Sequence, residues 1–291
     1  MKLVTFTYQG ISRVGAVVDN TVVDGLGQAD IPQTMLEFLA AGQPTLDALQ
    51  QLIDSQQQRI ALNDVKLMAP IPRPGKFLGV GLNYADHIAE TALDRPEYPT
   101  FFTKQGTCVI DQGVAIHVPK VSEKLDYEVE LAFVIGRRCR HVSLKDAHKV
   151  IAGYTLVNDV SVRDWQFRSP TWTLGKSFDT HGPMGPWIVT ADEIRDPHNL
   201  NLKTWINDEL RQSSNTQHMI FNCYEMIAYL TQAMTLEPGD VIATGTPSGV
   251  GVKMKPRGYM KAGQTVRIEI EHIGSLTNPV IDEPDDFVLP L

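Results

Sequence analysis

The chain contains little cysteine and no long apolar run. Its 291 residues include three cysteines, Cys108, Cys139 and Cys223, and no two of them have the short CxxC spacing of a zinc or redox site. We therefore expect free thiols and a reducing, cytoplasmic location. No uncharged stretch approaches the ~18 apolar residues that a membrane span needs. The first residues alternate like a strand and do not resemble a signal peptide.

Positive charge is also scarce. Lysine and arginine number 26 against 34 aspartate and glutamate residues, which gives a net charge of −8 at pH 7. This balance argues against a surface that binds nucleic acid. A hydrophobic content of 43% and a charged content of 21% are typical of an ordinary globular protein that buries a sizeable core. We therefore expect neither a nucleic acid nor a membrane as the binding partner; the net charge says little about small anionic substrates.

Residues 1–70 read as a small α/β accessory domain. Strands are predicted over 2–8, 13–18 and 21–23, with a turn at Gln9-Gly10 between the first two. Helices are predicted over 34–41 and 45–60, and Thr34 with Glu37 three residues later is typical of a helix start. The proline-rich stretch 69–75 cannot continue a helix or a central strand, so we place the domain boundary there.

Residues 71–291 read as one β-rich domain, and the fold class is mixed α/β. Short β-branched runs alternate with turn signals and predict a rolled sandwich or an open barrel. Strands are expected over 77–80, 114–118, 129–135, 154–157, 187–189, 202–206, 240–243 and 266–270, and a helix over 223–234.

Two carboxylates interrupt the most apolar run of the chain. Glu128 and Glu130 are two residues apart, so on a strand they point to the same face. A shared hard cation such as Mg²⁺ or Mn²⁺ would relieve their repulsion. Asp159 ends a second apolar run and is suited to be a third ligand. The alternatives are a solvated strand edge for the two glutamates and a turn at Asn158-Asp159.

Three further segments carry candidate chemistry. His87 and Glu90 would share a helix face, where the carboxylate orients the imidazole; a surface contact is the alternative. Lys176 lies among small and apolar residues, where it could stabilise an enolate, form a Schiff base or extend along the surface. The glycine-rich stretch 244–251 is suited to binding a carboxylate and lacks the ending of a phosphate loop.

Six segments together, in this order, resemble the fumarylacetoacetate hydrolase superfamily. They are GLNYADHIAE at 81–90, FTK at 102–104, DYEVE at 126–130, NDVSVRD at 158–164, WTLGKSF at 172–178 and TGTPSGVG at 244–251. Each piece alone is weak, but their joint occurrence over about residues 70–282 is specific. The resemblance implies that family's mixed β-sandwich roll and a homodimer.

The resemblance also implies roles for individual residues. One Mg²⁺ or Mn²⁺ ion per subunit would be held by Glu128, Glu130 and Asp159. His87 and Glu90 would activate water, and Lys176 would stabilise the transition state. The residues expected to bind substrate are Arg163, Gln166, Thr246, Lys104 and His181.

Two positions depart from the family pattern. Leu82 stands where several members that act on small 2-oxo acids have an arginine, and leucine cannot bind a carboxylate as a guanidinium does. His181 stands where relatives often have an aromatic residue. The resemblance therefore does not define the distal half of the substrate, and His181 would alter the same pocket.

The leading functional hypothesis is metal-dependent hydrolysis of a carbon–carbon bond in a 2,4-dioxo acid of the acylpyruvate type. The reaction would pass through an enolate and give pyruvate and a carboxylic acid. The same site could instead decarboxylate oxaloacetate or isomerise an unsaturated 2-oxo diacid. A metal-stabilised binding protein without activity is the non-enzymatic alternative.

Overall fold

The computed structural model describes residues 1–57, 59–91 and 94–285. In chain order its strands are β1 Lys2–Tyr8, β2 Ile11–Val18, β3 Thr21–Asp24, β4 Arg59–Ala61, β5 Lys66–Leu67, β6 Phe77–Gly81, β7 Thr100–Lys104, β8 Val109–Ile110, β9 Ile116–Val118, β10 Leu125–Asp126, β11 Val129–Ile135, β12 Ile151–Asn158, β13 Ser161–Val162, β14 Gly182–Thr190, β15 Asn201–Ile206, β16 Glu209–Asn215, β17 Val241–Ala243, β18 Thr265–Ile270 and β19 Gly274–Asp282. The α-helices are α1 Met35–Ala41, α2 Gln43–Asp54, α3 Ala85–Thr91, α4 Arg163–Gln166 and α5 Cys223–Ala233.

A large sheet forms the frame of the molecule. Its strand order over the described residues is β4-β3-β2-β1-β14-β12-β11-β17-β6-β7, with β5 beside β1 and β8 beside β14. The predicted hairpin between β1 and β2 is confirmed. Strand β1 also pairs antiparallel with β14, so residues 1–70 share this sheet with the rest of the chain. The domain boundary near residue 70 stays a prediction.

A second sheet of order β16-β15-β18-β19-β9 packs on the centre of the first. In β11, Val129, Leu131 and Phe133 face the core between the two sheets. Ala132 and Val134 point the other way, into the core beneath α1 and α2. The strand is apolar on both faces because each face is covered, which is why the sequence shows a continuous run. The mixed α/β, strand-rich fold is thus as predicted.

Most predicted elements are present, but several bounds differ. The strand predicted over 187–189 is Gly182–Thr190, and the strand predicted over 154–157 is Ile151–Asn158. The helix predicted over 45–60 ends at Asp54, because Gln56 adopts a left-handed backbone with φ of 57° and the chain then turns into β4. The strand predicted over 114–118 is only Ile116–Val118. Thr34 caps α1 as expected, its side chain accepting a hydrogen bond from the amide of Glu37. Of the described helices, none has the length and apolar character to cross a membrane.

Candidate active site

Three carboxylates meet at the end of the central strands of the large sheet. Glu130 lies in β11, Glu128 comes just before that strand, and Asp159 follows β12. The amide of Asp159 donates to the carbonyl of Glu128 at 2.9 Å, which ties the two strand ends together. Within the set, one oxygen from each carboxylate lies within 4.8 Å of the others. Their exposed fractions are 5%, 1% and 0% for Glu128, Glu130 and Asp159, so the solvated-edge alternative is wrong.

Two buried lysines neutralise part of this negative charge. Lys176 Nζ donates to Glu128 at 2.7 Å and to Asp159 at 2.6 Å, so it bridges two of the three carboxylates. Lys104 Nζ donates to the other oxygen of Asp159 at 2.7 Å and to the carbonyls of Lys176 and His181. Charges so deeply buried persist only when they are paired. Lys176 is therefore not a lysine that extends along the surface.

Arg163 connects the triad to a fourth buried carboxylate. Its Nε donates to Asp126 at 2.8 Å, and a terminal nitrogen lies 2.7 Å from Glu128. Its other terminal nitrogen donates to the side-chain oxygen of Gln166 at 2.9 Å. Because a guanidinium only donates, Gln166 accepts with its oxygen, and among the described residues its amide nitrogen has no hydrogen-bond partner.

The electrostatics of the triad fit a cation. Burial acts to raise the pKa of Glu128, but Lys176 and Arg163 outweigh it and lower that pKa to about 2. Burial and the charges of Asp159 and Glu128 hold the pKa of Glu130 well above its usual range. In the part of the chain that the structure describes, Glu130 forms no ion pair, whereas Glu128 and Asp159 do. An all-oxygen set with one uncompensated carboxylate suits a hard divalent ion such as Mg²⁺ or Mn²⁺.

The predicted pair on α3 is present. His87 Nδ1 lies 3.1 Å from Glu90 Oε2. A carboxylate only accepts, so Nδ1 carries the hydrogen and Nε2 of the neutral ring keeps a lone pair. The other oxygen of Glu90 accepts from the amide of Gly249 at 3.0 Å, and Asp86 accepts from the hydroxyl of Ser214 at 2.7 Å. Helix α3 is thereby fastened to the glycine-rich loop and to β16.

The glycine-rich loop also contacts the triad. The amide of Gly245, which has a φ of 94°, donates to Glu130 at 2.8 Å. Thr246 donates its hydroxyl hydrogen to the carbonyl of Val129 at 3.0 Å and accepts from Gln212 at 2.8 Å. Its hydroxyl can therefore offer a ligand only a further lone pair.

These elements enclose a cavity of about 310 Å³. Its wall contains seven of the predicted site residues: His87, Glu128, Glu130, Arg163, Gln166, Lys176 and Thr246. Within the described part of the chain, Glu90 and Asp159 lie behind this wall, hydrogen-bonded to His87 and Lys176. The remaining wall is formed by Val80, Gly81, Leu82, Phe102, Phe167, Trp172, Val252 and Lys253.

Lys104 and His181 do not line this cavity, although both were expected to bind substrate. Lys104 is used entirely by Asp159 and two carbonyls. His181 is buried, stacks on Phe178 and places Nε2 2.8 Å from the carbonyl of His117. Burial lowers the pKa of His181 to about 3, so its ring is neutral. The geometry gives both residues supporting positions.

Sequence reasoning missed four residues of the site. Asp126 was noted only as part of a motif, although its contact with Arg163 is buried. Trp172 and Phe102 pack edge to face at 5.8 Å and form an apolar wall. Lys253 lies two residues beyond the glycine-rich motif, where no pattern marked it. For Trp172 the sequence offered one indication, which is the glycine at position 81. A side chain at that position would overlap the ring of Trp172.

A family model confirms the resemblance. The model of the C-terminal region of fumarylacetoacetate hydrolase matches residues 76–281. The chain belongs to the fumarylacetoacetate hydrolase family. Family membership makes it an enzyme with a small-molecule substrate and a metal-dependent type of site.

Curated relatives extend over most of the chain. A mitochondrial oxaloacetate tautomerase of Xenopus laevis is 40% identical over 269 residues, which are 92% of this chain and 83% of the relative. A human mitochondrial oxaloacetate tautomerase is 42% identical over 253 residues, 86% of this chain and 81% of that protein. These relatives are mitochondrial, and this finding overturns the expected cytoplasmic location.

Solved structures agree with the fold. Fumarylacetoacetate hydrolase from Exiguobacterium antarcticum superposes with a TM-score of 0.86 at 35% identity, covering 97% of this chain and all of that one. Maleylpyruvate hydrolase from Sphingobium sp. SYK-6, solved with manganese(II) and pyruvate, has a TM-score of 0.83 at 30% identity, covering 98% of this chain and all of that one.

Proposed function

We propose that this protein interconverts the keto and enol forms of a short 2-oxo diacid of the oxaloacetate type, with Mg²⁺ or Mn²⁺ at the triad. The observation that carries the proposal is the buried set Glu128, Glu130 and Asp159 next to a histidine whose ring is oriented by Glu90. The oxaloacetate tautomerases of frog and human, at 40% and 42% identity, support the choice of substrate. The homodimer expected from the family stays a prediction.

Proton transfer would be the task of His87. With Nδ1 held by Glu90, Nε2 can take a proton from the carbon next to the 2-oxo group and return it to the enolate oxygen. When bound, the divalent ion would act as a Lewis acid on the 2-oxo and carboxylate oxygens. Lys176 and the free amide of Gln166 would donate to the same oxygens, where negative charge develops. No water is consumed.

Hydrolysis of an acylpyruvate is the second candidate. The same histidine could deprotonate a water molecule in place of carbon, and the Glu90 contact would orient its ring equally. The superposition with a maleylpyruvate hydrolase that holds manganese(II) and pyruvate favours this alternative. Decarboxylation of oxaloacetate would use the same cation cluster and requires no base.

The test is a direct comparison of these reactions. Ketonisation of enol-oxaloacetate is followed by loss of the enol absorbance, in Mg²⁺ and in EDTA, with the His87→Asn variant as a blank for catalysis by free metal and buffer. Pyruvate and carbon dioxide are recorded separately, and acetylpyruvate and maleylpyruvate are tested in parallel. We expect metal-dependent ketonisation that the variant lacks. Pyruvate with a matching acid from the 2,4-dioxo acids, and no faster ketonisation, would favour the hydrolase instead.

A further inference from the structure

Among the described residues, one cation of the cavity wall has no hydrogen-bond or ion-pair partner. Lys253 is half-buried and lines the cavity beside Val252. In residues 1–57, 59–91 and 94–285, no hydrogen bond or ion pair involves its Nζ. Arg163 and Lys176, the other two cations of the wall, are each paired with two carboxylates. Lys253 is therefore the cation that is available to a ligand.

The backbone of Lys253 is held in a fixed relation to the triad. It ends the single 3₁₀ turn Gly251–Lys253, whose amides at Gly251 and Val252 donate to the Asp126 carboxylate at 2.7 and 2.9 Å. The same carboxylate accepts from Arg163, which contacts Glu128. A chain of buried contacts thus connects the turn to a metal-binding carboxylate.

The charge balance of the site favours an anionic ligand. The buried cluster contains four carboxylates and three cations: Asp126, Glu128, Glu130 and Asp159 against Lys104, Arg163 and Lys176. With all of them ionised the cluster has one negative charge, which a divalent ion converts to one positive charge. Lys253 adds a second, and the Glu90 carboxylate behind the wall offsets one of the two, so the site with a divalent ion keeps a positive charge. Charge complementarity of this kind selects among ligands of similar shape.

The apolar part of the cavity lining cannot bind a carboxylate. Leu82, Phe102 and Trp172 are apolar, and leucine stands where a guanidinium would have been the obvious anchor. A distal carboxylate placed among these side chains would lose its hydration without compensation. It would instead turn toward the free ammonium group.

We propose that Lys253 binds the distal carboxylate of a 2-oxo diacid whose 2-oxo end lies at the acidic triad. The assignment rests on the function proposed above and specifies its substrate class. Lys253 thereby selects a diacid over a neutral-ended acid of the same length.

The test compares two ligands that differ in one charge. Oxaloacetate and its 4-methyl ester are titrated calorimetrically into the Mg²⁺-loaded protein, and ketonisation of both is measured. The variants are Lys253→Met, which keeps the chain length, and Lys253→Arg, which keeps the charge. Lys255→Met is the matched control, because Lys255 is exposed and does not line the cavity.

We expect Lys253→Met to weaken oxaloacetate binding by about tenfold to a hundredfold, the range of a hydrogen bond to a charged group. Binding of the ester should change by less than about twofold, and Lys253→Arg should keep most of the preference. Equal losses for both ligands, or no loss for oxaloacetate, would overturn the assignment. A wild-type protein that binds oxaloacetate through Lys253 but does not ketonise it would refute the proposed function alone.

Discussion

Glu90 and Gly249 are joined by a hydrogen bond of 3.0 Å from the Gly249 amide to the Glu90 carboxylate. The contact means that the residue which orients His87 is itself held by the glycine-rich loop. Movement of that loop would therefore move His87. The position of the His87–Glu90 pair thus depends on the loop as well as on helix α3.

The first prediction concerns Glu90→Gln. Glutamine can still accept from Gly249, but its amide nitrogen would donate to His87 Nδ1 and transfer the ring hydrogen to Nε2. The base is then blocked, and we expect kcat to fall by about a hundredfold or more. Steady-state kinetics across pH measure the loss, and circular dichroism serves as the folding control. Full activity in the variant would show that the tautomer of His87 is irrelevant.

The second prediction concerns Lys176→Met. Glu128 and Asp159 lose their shared cation, and removing one partner of a buried pair costs about 3–5 kcal/mol in the free energy of unfolding. Because a divalent ion would supply the missing charge, the cost should be smaller in Mg²⁺ than in EDTA. Urea unfolding in both conditions measures the difference. Identical costs with and without Mg²⁺ would argue against a metal at the triad.

The third prediction concerns Gly81→Ala. A Cβ at this position would lie 2.1 Å from the ring of Trp172, so the ring must leave its place on the cavity wall. Overpacking of this kind typically costs about 1–3 kcal/mol, and we expect KM to rise as the wall opens. Gly106→Ala is the control, since its Cβ would meet no atom closer than 3.8 Å. Tryptophan fluorescence and steady-state kinetics report the two effects.

The fourth prediction is a pH dependence of stability. The pKa of His181 is lowered to about 3 in the folded protein, below its ordinary value of 6.5, chiefly by burial. The unfolded chain therefore binds the extra proton first. This contribution is complete above about pH 6.5 and is lost progressively as the pH falls toward 3, by up to about 1.4 kcal/mol per pH unit.

The control for this prediction is His181→Gln, whose amide can still donate to the carbonyl of His117. Between pH 6.5 and 4.5 its free energy of unfolding should fall less steeply than that of the wild-type protein. Parallel slopes for the two proteins would mean that His181 does not titrate on unfolding.

The sequence indicated the triad well because its evidence is local. Glu128 and Glu130 interrupt a run that is buried on both faces, and a charge there requires a cation whatever the fold. Whether Lys104 and His181 line the cavity or lie behind Asp159 is decided by tertiary packing, so the sequence could not predict it. Lys253 had no distinguishing neighbours in the sequence, since its importance arises from the absence of a partner among the described residues.

The pairing of β1 with β14 places a strand from before the proline-rich stretch 69–75 in the same sheet as the rest of the chain. Strand β14 lies between β1 and β12, in the interior of the large sheet. A chain that began after residue 70 would leave Ile188 and Val189 of β14 without the pairing that β1 provides, and unpaired strand edges invite association with other chains. Expression of residues 76–281 alone would therefore favour aggregation. Strand β1 prevents this by covering part of the edge of β14.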